Sequence, residues 1–235
     1  MGERPVPERG ARRERPLKRP EAVLLVHGAC TGPWIFEGWA SWFPGAAVSA
    51  IDLQAGLQLE RASMELYAGA IIAEAGRLPW PLLLCGHGMG GLVALMAAPT
   101  LRPELLVLIE PFPPAEVGGS HPEITVSPGV YEPEEPERSD FRVRLRSDSA
   151  LARAERLRGI SVPPPLRCRS VVVLGDSSKA APGVARLYGS EVLSFSGLDH
   201  LGLVLAEQVP RAIAEYAGLV AGRVPDAEGL ADGGA

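Results

Sequence analysis

The segment LLLCGHGMGG at positions 82–91 constrains the fold of this chain more than any other stretch of its sequence. Four apolar or small residues lead into a cluster of glycines and then into a helix-forming stretch, which is the pattern of a buried strand that turns sharply into a helix. Gly86, Gly90 and Gly91 provide the small side chains that a close strand–helix crossing needs. The segment therefore predicts a strand–turn–helix unit inside an α/β domain.

The turn in this unit has the spacing of the G-x-S-x-G nucleophile elbow, in which a serine on a strained strand-to-helix turn projects into an active site. Gly88 stands at the serine position. Because glycine has no oxygen that could attack a carbonyl carbon, the acyl-enzyme route is closed at this position.

Apolar runs typical of buried parallel strands recur along the chain and alternate with helical stretches. Strands are predicted at 22–27, 46–52, 82–86, 105–110, 170–175 and 191–195. Helices are predicted at 64–76, with Ser63 as the N-cap, and at 92–98 and 203–220. This alternation predicts an α/β fold with a mostly parallel six-stranded sheet and helices on both faces.

Three segments depart from this alternation. Residues 111–165 are rich in Pro, Glu and Arg, contain one predicted helix at 149–158, and are predicted to form a short cap over the site. Residues 1–20 are basic and proline-containing, without the apolar core of a secretion signal, and are predicted to be a disordered leader. Residues 221–235 are predicted to be a flexible tail, which leaves a single domain over 21–220.

The composition narrows the classes of partner. A net charge of −5 gives no support for nucleic-acid binding, and no apolar run reaches the roughly 18 residues of a membrane span. Cys30, Cys85 and Cys168 are scattered and odd in number, which favours a reducing, cytoplasmic compartment. The histidines lack metal-site spacing, so neither a metal nor another cofactor is expected. The strong excess of Arg over Lys favours a GC-rich bacterial genome.

Two further motifs carry a resemblance to a known family. HGACTGPW at 27–34 is similar to the H-G-A-C-x-G-x-W loop of the methylesterase and hydroxynitrile lyase branch of the α/β-hydrolase superfamily and its bacterial relatives. GHGMGG at 86–91 follows it, and GLDHLG at 197–202 comes after the last predicted strand. The chain resembles this superfamily over roughly residues 21–220, which implies the α/β-hydrolase fold.

The resemblance implies a role for each matching position. Gly88 takes the nucleophile position and His200 takes the position of the catalytic base. The backbone N–H groups of Ala29 and Met89 would form the oxyanion hole.

The resemblance leaves the acid that supports His200 open. In the methylesterase branch the acid position falls on Ser178, and Asp176 lies two residues earlier. In a branch that resembles some haloalkane dehalogenases the acid ends the strand before the cap, which here is Glu110. Asp176 and Glu110 are therefore both candidates.

The pocket itself is expected next to these motifs. Cys30, Trp34 and His87 are candidate substrate-binding residues, whereas His27 is expected to hold its loop in a structural role. The predicted ligand is a small hydrophobic ester- or ketone-like molecule, with neither nucleic acid nor membrane as a partner. The sequence leaves the oligomeric state open.

Three hypotheses account for glycine at position 88. In the leading one, an α/β-hydrolase-family protein has impaired or absent ester hydrolysis and keeps a small-molecule pocket, because Gly88 and Ser178 both depart from the triad. The N-myc downstream-regulated proteins are a precedent, because they are similar in fold, have a glycine-rich elbow and lack the catalytic triad. In the second, His200 and the oxyanion hole catalyse a lyase, isomerase or cofactor-free oxygenase reaction. In the third, the chain is a carboxylic-ester or lactone hydrolase that carries a Ser-to-Gly substitution.

Overall fold

The computed structural model describes residues 16–133, 144–176 and 178–220, and its main element is one six-stranded parallel sheet. The strand order is β2-β1-β3-β4-β7-β8, which confirms the predicted parallel sheet. The strands are β1 (Ala22–Val26), β2 (Ala47–Ile51), β3 (Leu82–His87), β4 (Leu105–Ile109), β7 (Arg169–Leu174) and β8 (Glu191–Ser194). A two-stranded antiparallel ladder of β5 (Val130–Tyr131) and β6 (Asp148–Ser149) lies outside this sheet.

Helices cover both faces of the sheet, and the alternation of side chains along β1 shows how. Leu24 and Val26 pack with α1 (Met64–Ala75), α2 (Met89–Leu101) and α5 (Ala181–Tyr188). Val23 and Leu25 face the opposite layer, which contains two short 3₁₀ turns, α6 (Gly202–Leu205) and α7 (Gln208–Tyr216). Strands that are buried on both faces are apolar almost throughout, which is why the apolar runs in the sequence predict them.

The helix boundaries agree with the sequence in one case and differ in another. Ser63 caps α1 as predicted, because its hydroxyl accepts the N–H of Leu66 at 3.1 Å. The prediction of one helix over 203–220 is wrong, since Ala206 has extended backbone angles between α6 and α7. Pro210 has no N–H to bond to the carbonyl of Ala206, so it fits the first turn of a new helix better than the interior of a long one.

The cap consists of the described residues between 111 and 165. It includes α3 (Ala115–Gly118), the β5–β6 ladder and α4 (Ala150–Arg158), which begins after Ser149 as its N-cap. Arg146 connects the cap to the sheet, because its guanidinium donates to the carbonyl of Thr31 at 2.8 Å and binds the Asp52 carboxylate through both terminal nitrogens.

The chain ends were predicted to be a leader and a tail. Residues 1–15 and 221–235 lie outside the described residues. Within residues 16–20, the N–H of Lys18 donates to Glu104 at 2.8 Å, and the Arg19 side chain donates to the carbonyl of Pro44 at 3.1 Å. Among the helices that the structure describes, none is both long and apolar enough to cross a bilayer.

Candidate functional site

The turn between β3 and α2 brings backbone segments into unusually close contact. A Cβ atom on Gly86 would lie 2.4 Å from the carbonyl oxygen of Gly90, and one on Gly90 would lie 2.3 Å from the carbonyl oxygen of His27. These distances leave no room for a side chain. The glycines that predicted the turn are therefore required by its packing.

Gly88 occupies the tip of this turn, with backbone angles of φ 54° and ψ −119°. Its N–H donates to the carbonyl of Ile109 at 3.0 Å, and its carbonyl accepts the N–H of Phe112 at 2.9 Å. An L-residue with a side chain is strained at this positive φ, as the serine of a nucleophile elbow is. The geometry of the elbow is therefore present around a residue that has no hydroxyl.

His200 lies directly in front of Gly88. Its loop follows β8, and a Cβ atom built on Gly88 would be only 3.0 Å from Nε2 of the imidazole. The ring is about half exposed, with 48% of its side chain accessible. The nitrogen that could accept a proton thus faces the space above the turn.

Glu110 binds the other nitrogen of this imidazole. Nδ1 of His200 lies 2.7 Å from Oε2 of Glu110, whose side chain is only 7% exposed. Oε1 accepts the N–H of Gly175 at 3.1 Å and the hydroxyl of Ser178. With Nδ1 donating to the carboxylate, a neutral His200 carries its lone pair on Nε2, the nitrogen that faces Gly88.

The charge state of Glu110 follows from two opposing effects. Burial alone raises the pKa of this carboxyl, but the hydrogen bonds from His200, Ser178 and the Gly175 N–H outweigh it. The pKa of Glu110 is lowered, so the group is ionised at neutral pH. An ionised carboxylate at Nδ1 stabilises positive charge on the imidazole ring.

The two candidate acids are thereby placed differently. Glu110 has a backbone φ of 36°, an uncommon conformation that directs the end of β4 toward His200. Asp176 instead accepts the N–H of Gly197 at 2.7 Å, and no contact with His200 is present among the described residues. Ser178, which the family pattern makes the acid position, donates its hydroxyl to Glu110.

His87 lies beside His200, with the two ring centroids 4.1 Å apart. Its Nε2 donates to the backbone carbonyl of His200 at 3.0 Å, and Nδ1 is buried with no hydrogen-bond partner among the described residues. Burial, reinforced by the nearby His200, lowers the pKa of His87 well below its ordinary value. His87 is therefore neutral and supports both the ring and the loop of His200.

Two residues of the site, Ala29 and Met89, have backbone N–H groups that are not used within the described structure. Met89 is the first residue of α2, so its N–H has no acceptor within the helix, and Ala29 belongs to the loop after β1. In the described part of the chain neither N–H has a hydrogen-bond acceptor. Both residues border the cavity described below.

The loop that contains Ala29 is held from two sides. The N–H of Cys30, a residue with a φ of 58°, donates to the buried carboxylate of Asp148 at 2.9 Å. The same carboxylate accepts the hydroxyl of Tyr67 at 2.9 Å. His27 bonds to the carbonyl of Gly28 and to the N–H of Leu53, at 2.8 and 3.0 Å.

A cavity of about 330 Å³ opens between the sheet and the cap. We call its lower side the floor, formed by Ala29, His87, Gly88, Met89 and His200. We call its upper side the cap wall, formed by Phe112, Arg153, Arg156 and Leu157.

The three predicted ligand contacts fall in different places. His87 borders the cavity. Cys30 lies beside Tyr131, and burial raises the pKa of its thiol. Trp34 lies beneath the guanidinium of Arg144, 4.5 Å from its carbon to the ring centroid. Neither Cys30 nor Trp34 is among the residues around the cavity.

Sequence reasoning missed the arginines of the cap wall. Arg153 and Arg156 are three residues apart on α4, so they project from one side of the helix. The only signal was this spacing within a helix already predicted in the cap. Within the described residues, no group of three or more His, Cys, Asp or Glu side chains could hold a metal ion.

The comparisons with known proteins identify the fold. No family model and no curated protein matches the chain. Among solved structures, RedJ, a thioesterase of prodiginine biosynthesis from Streptomyces coelicolor, is 19% identical over 85% of both chains, with a TM-score of 0.59. Tomato methylketone synthase I, in a variant complexed with β-ketoheptanoate, is 16% identical over 84% of this chain and 98% of that one, with a TM-score of 0.63.

Polyneuridine aldehyde esterase is similar to the same degree, at 16% identity over 84% of this chain and 98% of that one, with a TM-score of 0.59. These neighbours are α/β-hydrolases, and the chain therefore has the α/β-hydrolase fold, as the sequence predicted. At sequence identities of 16–19%, the similarity establishes a shared fold and does not establish a shared activity.

Proposed function

We propose that this protein lacks serine-nucleophile chemistry and acts on a small carbonyl compound by proton transfer at His200. We also propose that it belongs to the methylesterase and hydroxynitrile lyase-like branch of the fold. The observation that carries the proposal is the His200–Glu110 pair, joined at 2.7 Å, with Nε2 facing the space above Gly88. A base oriented by a buried carboxylate is equipped for general acid–base catalysis without a covalent intermediate.

The proposed reaction begins at a carbon next to the substrate carbonyl. Nε2 of His200 removes a proton from this carbon, the C–H bond breaks, and its electron pair moves to give an enolate. The enolate oxygen accepts the N–H groups of Ala29 and Met89, which take the role of an oxyanion hole. Glu110 stabilises the imidazolium while its Nε2 proton exchanges with solvent, and Nε2 then returns a proton to the substrate, at this carbon or at another atom of the enolate system.

The position of the acid favours this proposal over pure binding. In the sequence, Gly88 and Ser178 at two of the three triad positions favour the hypothesis of a triad that has lost its function. Glu110 nevertheless supplies a carboxylate to His200, and the hydroxyl of Ser178 donates to that carboxylate. An ionised carboxylate held on Nδ1 of a half-exposed histidine is the arrangement that general acid–base catalysis uses, which supports turnover over binding alone.

The structural neighbours support the substrate class. Methylketone synthase I is complexed with β-ketoheptanoate in one structure and with 2-tridecanone in another. Other neighbours are described as an esterase and a thioesterase. These are acyl and carbonyl compounds, which suits a cavity with two N–H groups directed at a developing oxyanion.

Deuterium exchange tests the proposal. In D₂O, we expect the protein to accelerate exchange of the α-protons of at least one ketone in a panel of butanone, cyclohexanone and 4-oxopentanoate. The rate, followed by ¹H NMR, should fall about 10²-fold or more in His200→Ala, the range of general-base catalysis. His121→Ala, which removes an exposed cap histidine, is the matched control. If no ketone exchanges faster with the protein than with His200→Ala, the proton-transfer proposal fails and binding without turnover replaces it.

An ester assay distinguishes the proton-transfer proposal from the remaining hypothesis, that the protein is an ester hydrolase with a substituted serine. We expect the protein to hydrolyse p-nitrophenyl acetate no faster than His200→Ala does, and to resist fluorophosphonate labelling. Gly88→Ser should give only weak esterase activity, because its Cβ would lie 3.0 Å from Nε2 of His200 and the imidazole must shift. Full esterase activity in Gly88→Ser would favour a working hydrolase instead.

A further inference from the structure

We infer that the substrate carries a carboxylate group and that Arg156 of the cap wall binds it, an inference that rests on the proposed function because it names the substrate class of the same cavity. The juxtaposition that supports it is a buried guanidinium and the Gly88–His200 pair around one small cavity.

Every described group that contacts the guanidinium of Arg156 is neutral. Only 8% of the residue is exposed. One terminal nitrogen lies 3.5 Å from the sulfur of Met89, and the other donates to the hydroxyl of Tyr131 at 3.0 Å. The guanidinium carbon lies 5.8 Å from the ring centroid of Phe112. Across the described residues, no carboxylate lies within ion-pair distance of Arg156.

The nearest buried carboxylate in the cap is engaged elsewhere. Asp148 accepts the N–H groups of Cys30 and Ser149 at 2.9 and 2.7 Å, and the hydroxyl of Tyr67 at 2.9 Å. Three donors therefore occupy its two oxygens. Asp148 fixes the cap and the Ala29 loop, and no carboxylate of the described residues forms an ion pair with Arg156.

A buried guanidinium without an anion is expensive for a fold to maintain. Arginine does not lose its proton in proteins, so it cannot escape the cost of burial by becoming neutral. It carries five N–H donors, of which the contacts to Met89 and Tyr131 use two. A planar fork with unused donors at a cavity wall matches the two oxygens of a carboxylate.

The location of Arg156 links this anion site to the proposed reaction. The residue borders the cavity together with Gly88 and His200, and it touches Met89, whose N–H is proposed to bind the enolate oxygen. A volume of about 330 Å³ is at the small end for ligand cavities. A short keto acid, or another small carboxylate with a carbonyl group, fits both the charge and the size.

Calorimetry with matched probes tests the inference without any need for turnover. The probes are 4-oxopentanoate, its neutral amide, and inorganic phosphate. We expect the protein to bind 4-oxopentanoate at least tenfold more tightly than the amide. Arg156→Met should abolish this preference, with 4-oxopentanoate bound no more tightly than the amide by the same variant. Arg158→Met changes an exposed arginine on the same helix and should keep the preference.

Two further variants separate the possible causes of failure. Arg156→Lys keeps the positive charge but loses the planar guanidinium, so it should weaken 4-oxopentanoate binding severalfold. It replaces Arg156→Met in the test if that variant does not fold. His200→Ala should retain the preference for the acid, which distinguishes anion binding from the proposed catalysis. Equal or absent binding of acid and amide, or an unchanged preference in Arg156→Met, would overturn the inference. Tighter binding of phosphate than of 4-oxopentanoate would overturn the choice of carboxylate.

Discussion

The floor and the cap wall of the cavity differ in how their polar groups are satisfied. On the floor, His200 is bonded to Glu110, Glu110 accepts from Gly175 and Ser178, and His87 donates to a backbone carbonyl. These groups come from strand ends and turns of the sheet. On the cap wall, the contacts of the Arg156 guanidinium with the described part of the chain are all neutral.

This difference suggests a division of labour between the sheet and the cap. On the floor, the His200–Glu110 pair is held by partners within the protein, so it is suited to one kind of chemistry whatever the ligand. On the wall, Arg156 has N–H donors that no described residue uses, so it is suited to selecting the ligand. Substitutions on the floor should lower turnover, and substitutions on the wall should weaken binding.

The largest effect on the floor is expected from Glu110→Gln. Loss of the carboxylate removes the charge that stabilises the imidazolium. With the amide oxygen accepting from Gly175 and Ser178, the amide NH₂ faces Nδ1 and reverses the tautomer of His200. By analogy with triads that lose their acid, exchange turnover should fall by about 10² to 10⁴-fold with little change in KM. Asp176→Asn is the matched control and should keep nearly full activity. An equal loss in both variants would mean that the floor is not organised around Glu110.

A smaller effect, on stability, is expected where the cap meets the loop of Ala29. Asp148→Asn places an amide NH₂ near a backbone N–H that now donates to the carboxylate, so one buried hydrogen bond is lost. The free energy of unfolding should fall by about 1–3 kcal/mol, measured by urea denaturation. Glu132→Gln, an exposed carboxylate in the same cap, should change it little. Equal stability of the two variants would show that cap and floor are held independently.

The smallest effect is expected from Ser178→Ala. The hydroxyl lowers the pKa of Glu110, so its loss should raise that pKa by less than about one unit, measured by a ¹³C NMR titration of the Glu110 carboxyl. Activity near neutral pH should change only a few-fold. A lower pKa of Glu110, or an unchanged one, would remove Ser178 from the support of the acid.

The sheet could be predicted because each central strand is buried on both faces and is apolar throughout. The turn at Gly88 was equally legible, since Gly86 and Gly90 leave no room for a Cβ atom. The break between α6 and α7 was not predicted because the hydrophobic pattern continues across it. Pro210 was the local signal for a new helix start.

The site was less predictable because it depends on contacts between distant segments. Glu110 and Asp176 each follow a strand, and only the three-dimensional structure shows which carboxylate meets His200. Arg156 lies in a charged segment that resembles a solvated helix face. Its burial arises from packing against Tyr131 and Phe112, which no sequence spacing reveals.

The most direct measurement compares α-proton exchange of 4-oxopentanoate by the protein and by Gly88→Ala. The variant keeps His200, Glu110 and Arg156, but its new methyl group would lie 3.0 Å from Nε2 of His200, where the substrate C–H bond must approach. We expect the protein to accelerate exchange, and we expect the rate for Gly88→Ala, confirmed as folded, to fall toward the uncatalysed rate. Exchange by Gly88→Ala as fast as by the protein, or no acceleration by the protein, would contradict proton transfer in the space above Gly88.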